Sequence, residues 1–182
     1  MKKLKIAALA LVGLFVLVTA VGFVLPRKCH CTGSIVIAAA PESIYPLIAN
    51  FKDGWSQWTP FVYDKTPVVF DGPAEGVGAS QKWDGPDTGD GQLKIIRADP
   101  ARGVEMELSM MHESYKASSA LLCEPAGNGQ TKVTWSDDFD MGDGPYRRWW
   151  GLLLPHFLDP QMAKGLVTLK AKAEARPATA AQ

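Results

Sequence analysis

The feature that most constrains this sequence is a run of twenty residues without a charge, from Ile6 to Leu25. As a helix this run would be about 30 Å long, which matches the hydrocarbon core of a bilayer. Lys2, Lys3 and Lys5 precede it, and Pro26-Arg27-Lys28 closes it. We therefore predict a single-pass membrane anchor followed by a separate folded domain.

A cleaved signal peptide is the alternative interpretation of the same run. Val18-Thr19-Ala20 resembles a small-residue cleavage site, so the chain would be secreted after cleavage near Ala20. The apolar run continues to Leu25, however, whereas the apolar region of a signal peptide usually has only about 7–15 residues. This favours the anchor. The excess of lysines before the run favours a cytoplasmic N-terminus with the domain on the exported side.

Charge and composition exclude several classes of protein. The chain of 182 residues has 19 basic and 19 acidic residues, so no basic excess points to nucleic acid. Residues 29–182 alone hold 14 basic and 19 acidic residues, a net charge of −5. A hydrophobic share of 47% excludes a disordered chain. We expect an anchor segment over 1–28, one domain over 29–175 and a frayed tail over 176–182.

Strand-like segments dominate the first two thirds of the domain. Ser34–Ile37 predicts a first strand, and the apolar spacing after Pro41 predicts a short helix. Gly127-Asn128-Gly129 is typical of a hairpin turn between the last two strands. Alternating polar and apolar side chains indicate antiparallel strands with one solvated face. The remaining predicted strands are Val68–Phe70, Ala79–Trp83, Gln92–Arg97, Val104–Met110, Tyr115–Cys123 and Thr131–Phe139.

The C-terminal part is predicted to be helical. Asp159 and Pro160 are typical of a helix start, and Met162, Leu166 and Leu169 then form one apolar stripe. Before this start, residues 146–158 form a bulky stretch that we expect to be bent. The predicted fold class is α+β, with a curved antiparallel sheet of about 6–7 strands wrapped around a long C-terminal helix.

Four local motifs follow this order of elements: IVIAAAPESIYPLIANFKDGWSQWTPF, GPAEGVGASQKWDGPDTGDGQLKIIRADP, LLCEPAGNGQTKVTW and KGLVTLKAKAE. With these motifs the chain resembles the START-like or SRPBCC superfamily, the helix-grip fold, and within it the polyketide cyclase/dehydrase-like branch. The resemblance covers most of residues 33–175. It implies a deep, largely apolar cavity between sheet and last helix, used for lipids, polyketides or steroids.

Tryptophan and methionine side chains supply the candidate pocket. Aromatic and thioether groups with few charges are what an apolar ligand requires, although core packing requires the same residues. Trp149 and Trp150 beside Arg147 and Arg148 also suit a membrane interface. The predicted ligand-binding residues are Trp58, Trp83, Met106, Leu108, Met110, Val133, Trp135, Trp150, Met162 and Leu166.

Three side chains are weak candidates for acid–base catalysis: His156, Asp137 and His112. Asp137 shares a strand face with Val133 and Trp135, which would point it inward and raise its pKa. The favoured alternative is that the strand ends by Ser136 and that Asp137 joins a solvated acidic turn. For both histidines, a packing or surface role is favoured.

Neither a metal nor a cofactor is predicted. Cys29-His30-Cys31 supplies too few ligands for a zinc site, and Cys123 is a single distant thiol. A disulfide between Cys29 and Cys31 would be strained, so free thiols are expected.

We therefore predict a membrane-anchored, non-catalytic binding domain for a hydrophobic small molecule or lipid. The alternative is a polyketide cyclase or dehydratase that uses a cavity His or Asp as acid and base. A third, weaker hypothesis is a protein-interaction module, which predicts a large exposed apolar patch. The sequence leaves the oligomeric state open.

Overall fold

The computed structural model describes residues 2–61, 66–86 and 89–176. Most of the predicted tail, 177–182, lies outside the described residues. Two long helices flank a mostly β domain, with a short helix after the first strand and a 3-10 turn over Trp55–Gln57. The elements are α1 (Lys2–Val24), β1 (Lys28–Ile37), α2 (Pro41–Ala49), β2 (Val68–Asp71), β3 (Ser80–Gly85), β4 (Gly89–Asp99), β5 (Gly103–Met110), β6 (Tyr115–Gly127), β7 (Gln130–Asp140) and α3 (Pro145–Glu174).

All seven strands form one antiparallel sheet in the order β1-β7-β6-β5-β4-β3-β2. The chain therefore meanders from β2 to β7, and β1 closes the far edge beside β7. The register shifts between Ile95 and Arg97 and again between Pro125 and Gly127. Such bulges bend and twist a sheet. The predicted helix-grip fold is confirmed.

Turn chemistry explains why the strands end where they do. At the β6–β7 hairpin, Gly127, Asn128 and Gly129 have φ values of 83°, 52° and 71°. Glycine adopts this left-handed backbone without steric cost, and asparagine tolerates it better than most residues. The predicted hairpin turn lies at this position.

The first strand is longer than predicted. It begins at Lys28 rather than at Ser34 and pairs with β7 from Asp140 to Thr131. Cys29 and Cys31 are consequently buried strand residues, because alternate side chains of β1 face the core. The strand starts inside the segment assigned to the anchor.

The predicted helix start at Asp159 is wrong. α3 is one helix that runs through Pro155 and Pro160, and Asp159 does not cap it. Its carboxylate instead accepts the backbone N–H of Thr32 at 3.0 Å, which ties the middle of α3 to β1. An interior proline costs a helix about 3 kcal/mol, and the packing of α3 against β1 outweighs that cost here.

The core lies between the inner face of the sheet and α3. α2 packs against β5, β6 and α3 and fills one half of this space. Met162, Leu166 and Leu169 are fully buried there, as their helical spacing predicts. The other half is not completely filled.

A candidate ligand cavity with two unpaired polar atoms

An aromatic cluster forms the floor of the unfilled half. Trp135 of β7 makes edge-on contacts with Trp55, Trp58 and Phe61, with ring centroids 5.4–5.9 Å apart. Such geometry is favoured by the ring quadrupoles. The indole of Trp58 also donates a hydrogen bond to the Leu47 carbonyl at 2.8 Å, which fixes the cluster to α2.

The described residues enclose a cavity of about 120 Å³ above this cluster. Leu158 contributes from α3, Phe61 from the loop after the 3-10 turn, and the 3-10 turn and strands β3 to β7 contribute the rest. The cavity is smaller than the roughly 300–1,000 Å³ that is typical of drug-sized ligands. A single ring with small substituents therefore fits, whereas a steroid does not. The lining residues are Trp55, Phe61, Gln81, Trp83, Leu93, Leu108, Met110, Ser119, Trp135, Asp137, Phe139 and Leu158.

Asp137 lies in the wall of this cavity with a relative exposure of 6%. Burial raises the pKa of its carboxyl from the usual 3.8 to about 6, and nearby Ser119 and Trp135 only partly oppose that rise. The favoured interpretation of Asp137 as part of a solvated turn is wrong. β7 continues to Asp140, so the alternation that turns Trp135 inward also turns Asp137 inward.

Among the described residues, two buried polar atoms of the cavity wall lack a hydrogen bond of good geometry: Trp135 Nε1 and Asp137 Oδ1. The Trp135 side chain nevertheless lies close enough to the Asp137 carboxyl to lower its pKa, so the two groups are neighbours whose contact is poorly formed. One is a donor and the other is an acceptor. Buried polar groups are nearly always paired, because leaving one unpaired costs about 1–3 kcal/mol. A ligand that supplies both a donor and an acceptor would satisfy the pair.

The structure brings together part of the predicted pocket. Trp83, Leu108, Met110 and Trp135 line the cavity. The predicted residues Trp58, Met106, Val133, Met162 and Leu166 are buried behind it, while Trp150 lies on the protein surface. For all of these residues, a role in ligand binding stays a prediction.

Sequence reasoning missed several lining residues that the strand pattern contains. Phe139 follows Trp135 and Asp137 at alternate positions of β7, and Ser119 is the register partner of Asp137 on β6. Leu93 likewise pairs with Leu108 across β4 and β5. Cross-strand register would have found these residues, whereas Phe61 and Leu158 depend on how a loop and α3 fold back.

The two histidines lie away from the cavity. His112 occupies the exposed β5–β6 turn, where its ring faces the Asp90 carboxylate at 3.2 Å. His156 lies on an exposed part of α3 with its ring edge-on to Phe157. Neither ring reaches a cavity-lining carboxylate in the described structure.

The cysteines are free and buried. Burial raises the pKa of the Cys31 thiol well above its usual range and that of Cys123 to about 11, so both stay protonated at neutral pH. His30 points to the other face of β1 and pairs with Asp138 at 2.8 Å. In the part of the chain that the structure describes, no group of three His, Cys, Asp or Glu side chains could hold a metal ion.

α1 is long and apolar enough to cross a membrane, which is typical of a span and equally of a signal sequence. Arg27 at its end forms ion pairs with Asp140 at 2.6 Å and with Asp143 at 3.1 Å. The hydrogen bond from Arg27, together with that from the Gly142 backbone N–H, holds the pKa of Asp140 down at about 2. The end of α1 is thus fixed at the edge of the sheet where β7 runs into α3.

Comparison with known proteins supports the fold described above. The family described as polyketide cyclase / dehydrase and lipid transport matches residues 28–174. None of the curated proteins compared with the chain matches it significantly.

Solved structures share the architecture at low sequence identity. Norcoclaurine synthase from Thalictrum flavum, in a complex with a transition-state analogue, superposes with a TM-score of 0.61 at 12% identity over 80% of this chain and 94% of that one. The KanY protein gives 0.59 at 14% identity over 81% and 99%. The Aha1 dimer from Colwellia psychrerythraea gives 0.53 at 21% identity over 80% and 96%. These similarities establish the fold alone.

Proposed function

Since the chain belongs to the polyketide cyclase/dehydrase and lipid transport family, we propose that it is a membrane-anchored binding domain for a compact hydrophobic molecule that carries one hydroxyl group. The observation that carries the proposal is that Trp135 Nε1 and Asp137 Oδ1 lack a well-formed hydrogen bond among the described residues, in a cavity whose lining is otherwise mostly apolar.

A hydroxyl group matches this pair chemically. Its O–H donates to the Asp137 carboxylate, and its oxygen accepts from the Trp135 indole. A pure hydrocarbon would leave both atoms unpaired. A carboxylate would place a second negative charge beside Asp137 in a water-poor site, which is strongly unfavourable.

The anchor supports the same function by placing the cavity near a reservoir of apolar molecules. Phe139 and Met110, which line the cavity, lie at the end of β7 and β5 where Arg27 joins α1 to the domain. Ligands that partition into a bilayer would therefore be concentrated near this end of the sheet.

The test compares three ring-sized probes by calorimetry with the full-length protein at pH 8: p-cresol, toluene and benzoate. We expect p-cresol to bind more tightly than toluene, and benzoate to bind least. Asp137→Asn should weaken p-cresol about tenfold, because a charge-assisted hydrogen bond is lost, and should leave toluene nearly unchanged. Asp138→Asn, on the outer face of the same strand, is the matched control. Equal affinities for p-cresol and toluene would contradict the proposal.

An enzyme of the cyclase or dehydratase type is the second candidate, and the pKa of Asp137 favours it. A carboxyl with a pKa of about 6 is suited to accept and return a proton near neutral pH. Mass spectrometry of organic extracts from the purified protein separates the two functions. A binding protein returns an added hydroxylated ligand unchanged, whereas a dehydratase returns it without one molecule of water and loses that activity in Asp137→Asn.

A further inference from the structure

An exposed apolar stripe runs along the first half of α3. Tyr146, Trp150, Leu153 and Phe157 follow one another at spacings of four, three and four residues, which places them on one face of a helix. Their side chains are 46–54% exposed, and the rings of Trp150 and Phe157 stack on each other. Apolar side chains that are contiguous on a surface mark a contact with something else.

The end of α3 that carries this stripe is packed against α1. Trp149 Nε1 donates to the Val18 carbonyl at 3.0 Å, and the Tyr146 hydroxyl is 2.8 Å from Thr19 Oγ1. Gly22 allows the closest approach, because a Cβ at this position would lie 2.7 Å from the Pro145 carbonyl oxygen. Only a glycine fits a crossing this tight.

Arg148 fixes the position of α3 along the axis of α1, because it caps the last turn of α1. Its guanidinium donates to the Phe23 carbonyl at 2.6 Å and to the Leu25 carbonyl at 3.3 Å. The final carbonyls of a helix lack partners within the helix, and a cation there is favourable. The two helices are therefore joined side by side rather than by a loose tether.

The position of the contact along α1 gives the depth of the contact within the apolar run. Thr19 is six residues before Leu25, so the Tyr146 contact lies about 9 Å inside the apolar run at 1.5 Å per residue. Interfacial helices bury their apolar faces by about 5–10 Å at the boundary between headgroups and acyl chains. If α1 crosses a bilayer, the first turns of α3 enter the same leaflet.

We propose that the apolar stripe of α3 lies in the membrane interface, where it holds the domain on the bilayer with the cavity beside the lipid. The occupant is the bilayer rather than a second protein, because the stripe continues the lipid-facing surface of α1. Phe157 at the end of the stripe precedes Leu158, which lines the cavity. The entry of a ligand along this path rests on the ligand binding in the proposed function, whereas the docking of α3 rests only on its membrane anchor.

The test measures collision of a nitroxide label with oxygen and with a water-soluble nickel chelate. The full-length chain carries the label at Leu153→Cys and is reconstituted in phosphatidylcholine vesicles. The three native cysteines are buried, so the introduced cysteine is the one that reacts. The matched control is Val167→Cys, an equally apolar and 60% exposed position farther along the same helix.

We expect the ratio of oxygen to nickel collisions to be several-fold higher at position 153 than at position 167. Similar ratios at the two positions would place the stripe in water and overturn the proposal. Protection of position 153 from both reagents, with a short label-to-label distance between two chains, would assign the stripe to a second copy and also overturn it. Neither result depends on whether the cavity binds p-cresol, so failure here is distinct from failure of the proposed ligand binding.

Discussion

At the scale of single residues, burial of Asp137 makes the stability of the protein depend on pH. Its carboxyl has a pKa of about 6 in the fold and 3.8 in a solvated chain, so the folded state holds the proton more tightly. The contribution of Asp137 to stability is therefore most favourable below about pH 4, falls as the pH rises to about 6, and stays lower above that. A pKa shift of this size corresponds to a change of about 3 kcal/mol in the free energy of unfolding between the two ends of this pH range.

Replacing Asp137 by Asn removes the charge and should remove this dependence. We expect Asp137→Asn to be more stable than the unsubstituted protein by about 2–3 kcal/mol at pH 7.5, and nearly equal to it at pH 3.5. Urea unfolding of the full-length protein in detergent over this pH range measures the difference. Asp138→Asn, whose carboxylate is solvated, should change little. Parallel pH profiles for Asp137→Asn and the unsubstituted protein would show that Asp137 is not buried as described.

At the scale of elements, the sequence predicts strands well because turn chemistry is local. The hairpin at Gly127–Gly129 follows from residue type alone. Alternation also gives Trp135 and Asp137 one strand face, but the acidic residues after Ser136 favour an early end of the strand, which β7 does not have. Local signals misplace the start of α3, since Pro160 resembles a helix start and only packing on β1 carries the helix through it. Local signals also show which face of the sheet a side chain lies on, but not whether it reaches the cavity. Met106 faces inward as predicted, yet it is buried in the half of the core that α2 fills.

The close packing of α3 on the sheet depends on Gly165. A Cβ at this position would lie 2.6 Å from Pro60 Cδ and 3.3 Å from the Trp135 ring, neither of which is a flexible chain end. Gly165→Ala gains about 1 kcal/mol of helix propensity, but overpacking of this kind costs about 1–3 kcal/mol. We expect a net loss of up to about 2 kcal/mol, together with weaker p-cresol binding because Trp135 must shift. Thermal unfolding measures the loss. Gly13→Ala, which meets no atom within 4 Å, is the control, and equal effects of both changes would contradict this account of the packing.

At the scale of the whole molecule, α1 and the domain pack together as one unit, and charged side chains join them at the C-terminal end of α1. Arg27 pairs with Asp140 at the end of β7 and with Asp143 in the β7–α3 connection, and Arg148 caps the last turn of α1. The domain beyond residue 28 is net negative, whereas the segment before it carries only positive charges. These contacts are not those of a flexible tether. They hold the C-terminal end of β7 next to the C-terminal end of α1.

The same contacts predict that the mature chain keeps α1. Cleavage near Ala20 would remove Phe15, Val18 and Thr19, so the Trp149 indole would lose its acceptor and the Tyr146 ring and hydroxyl would lose their partners. Intact-mass measurement of protein purified from the membrane fraction should therefore give the full-length chain of 19.7 kDa, allowing for processing of the first methionine. A chain that begins just after Ala20 would show that α1 is a signal sequence, and the stripe on α3 would then face water in the mature protein.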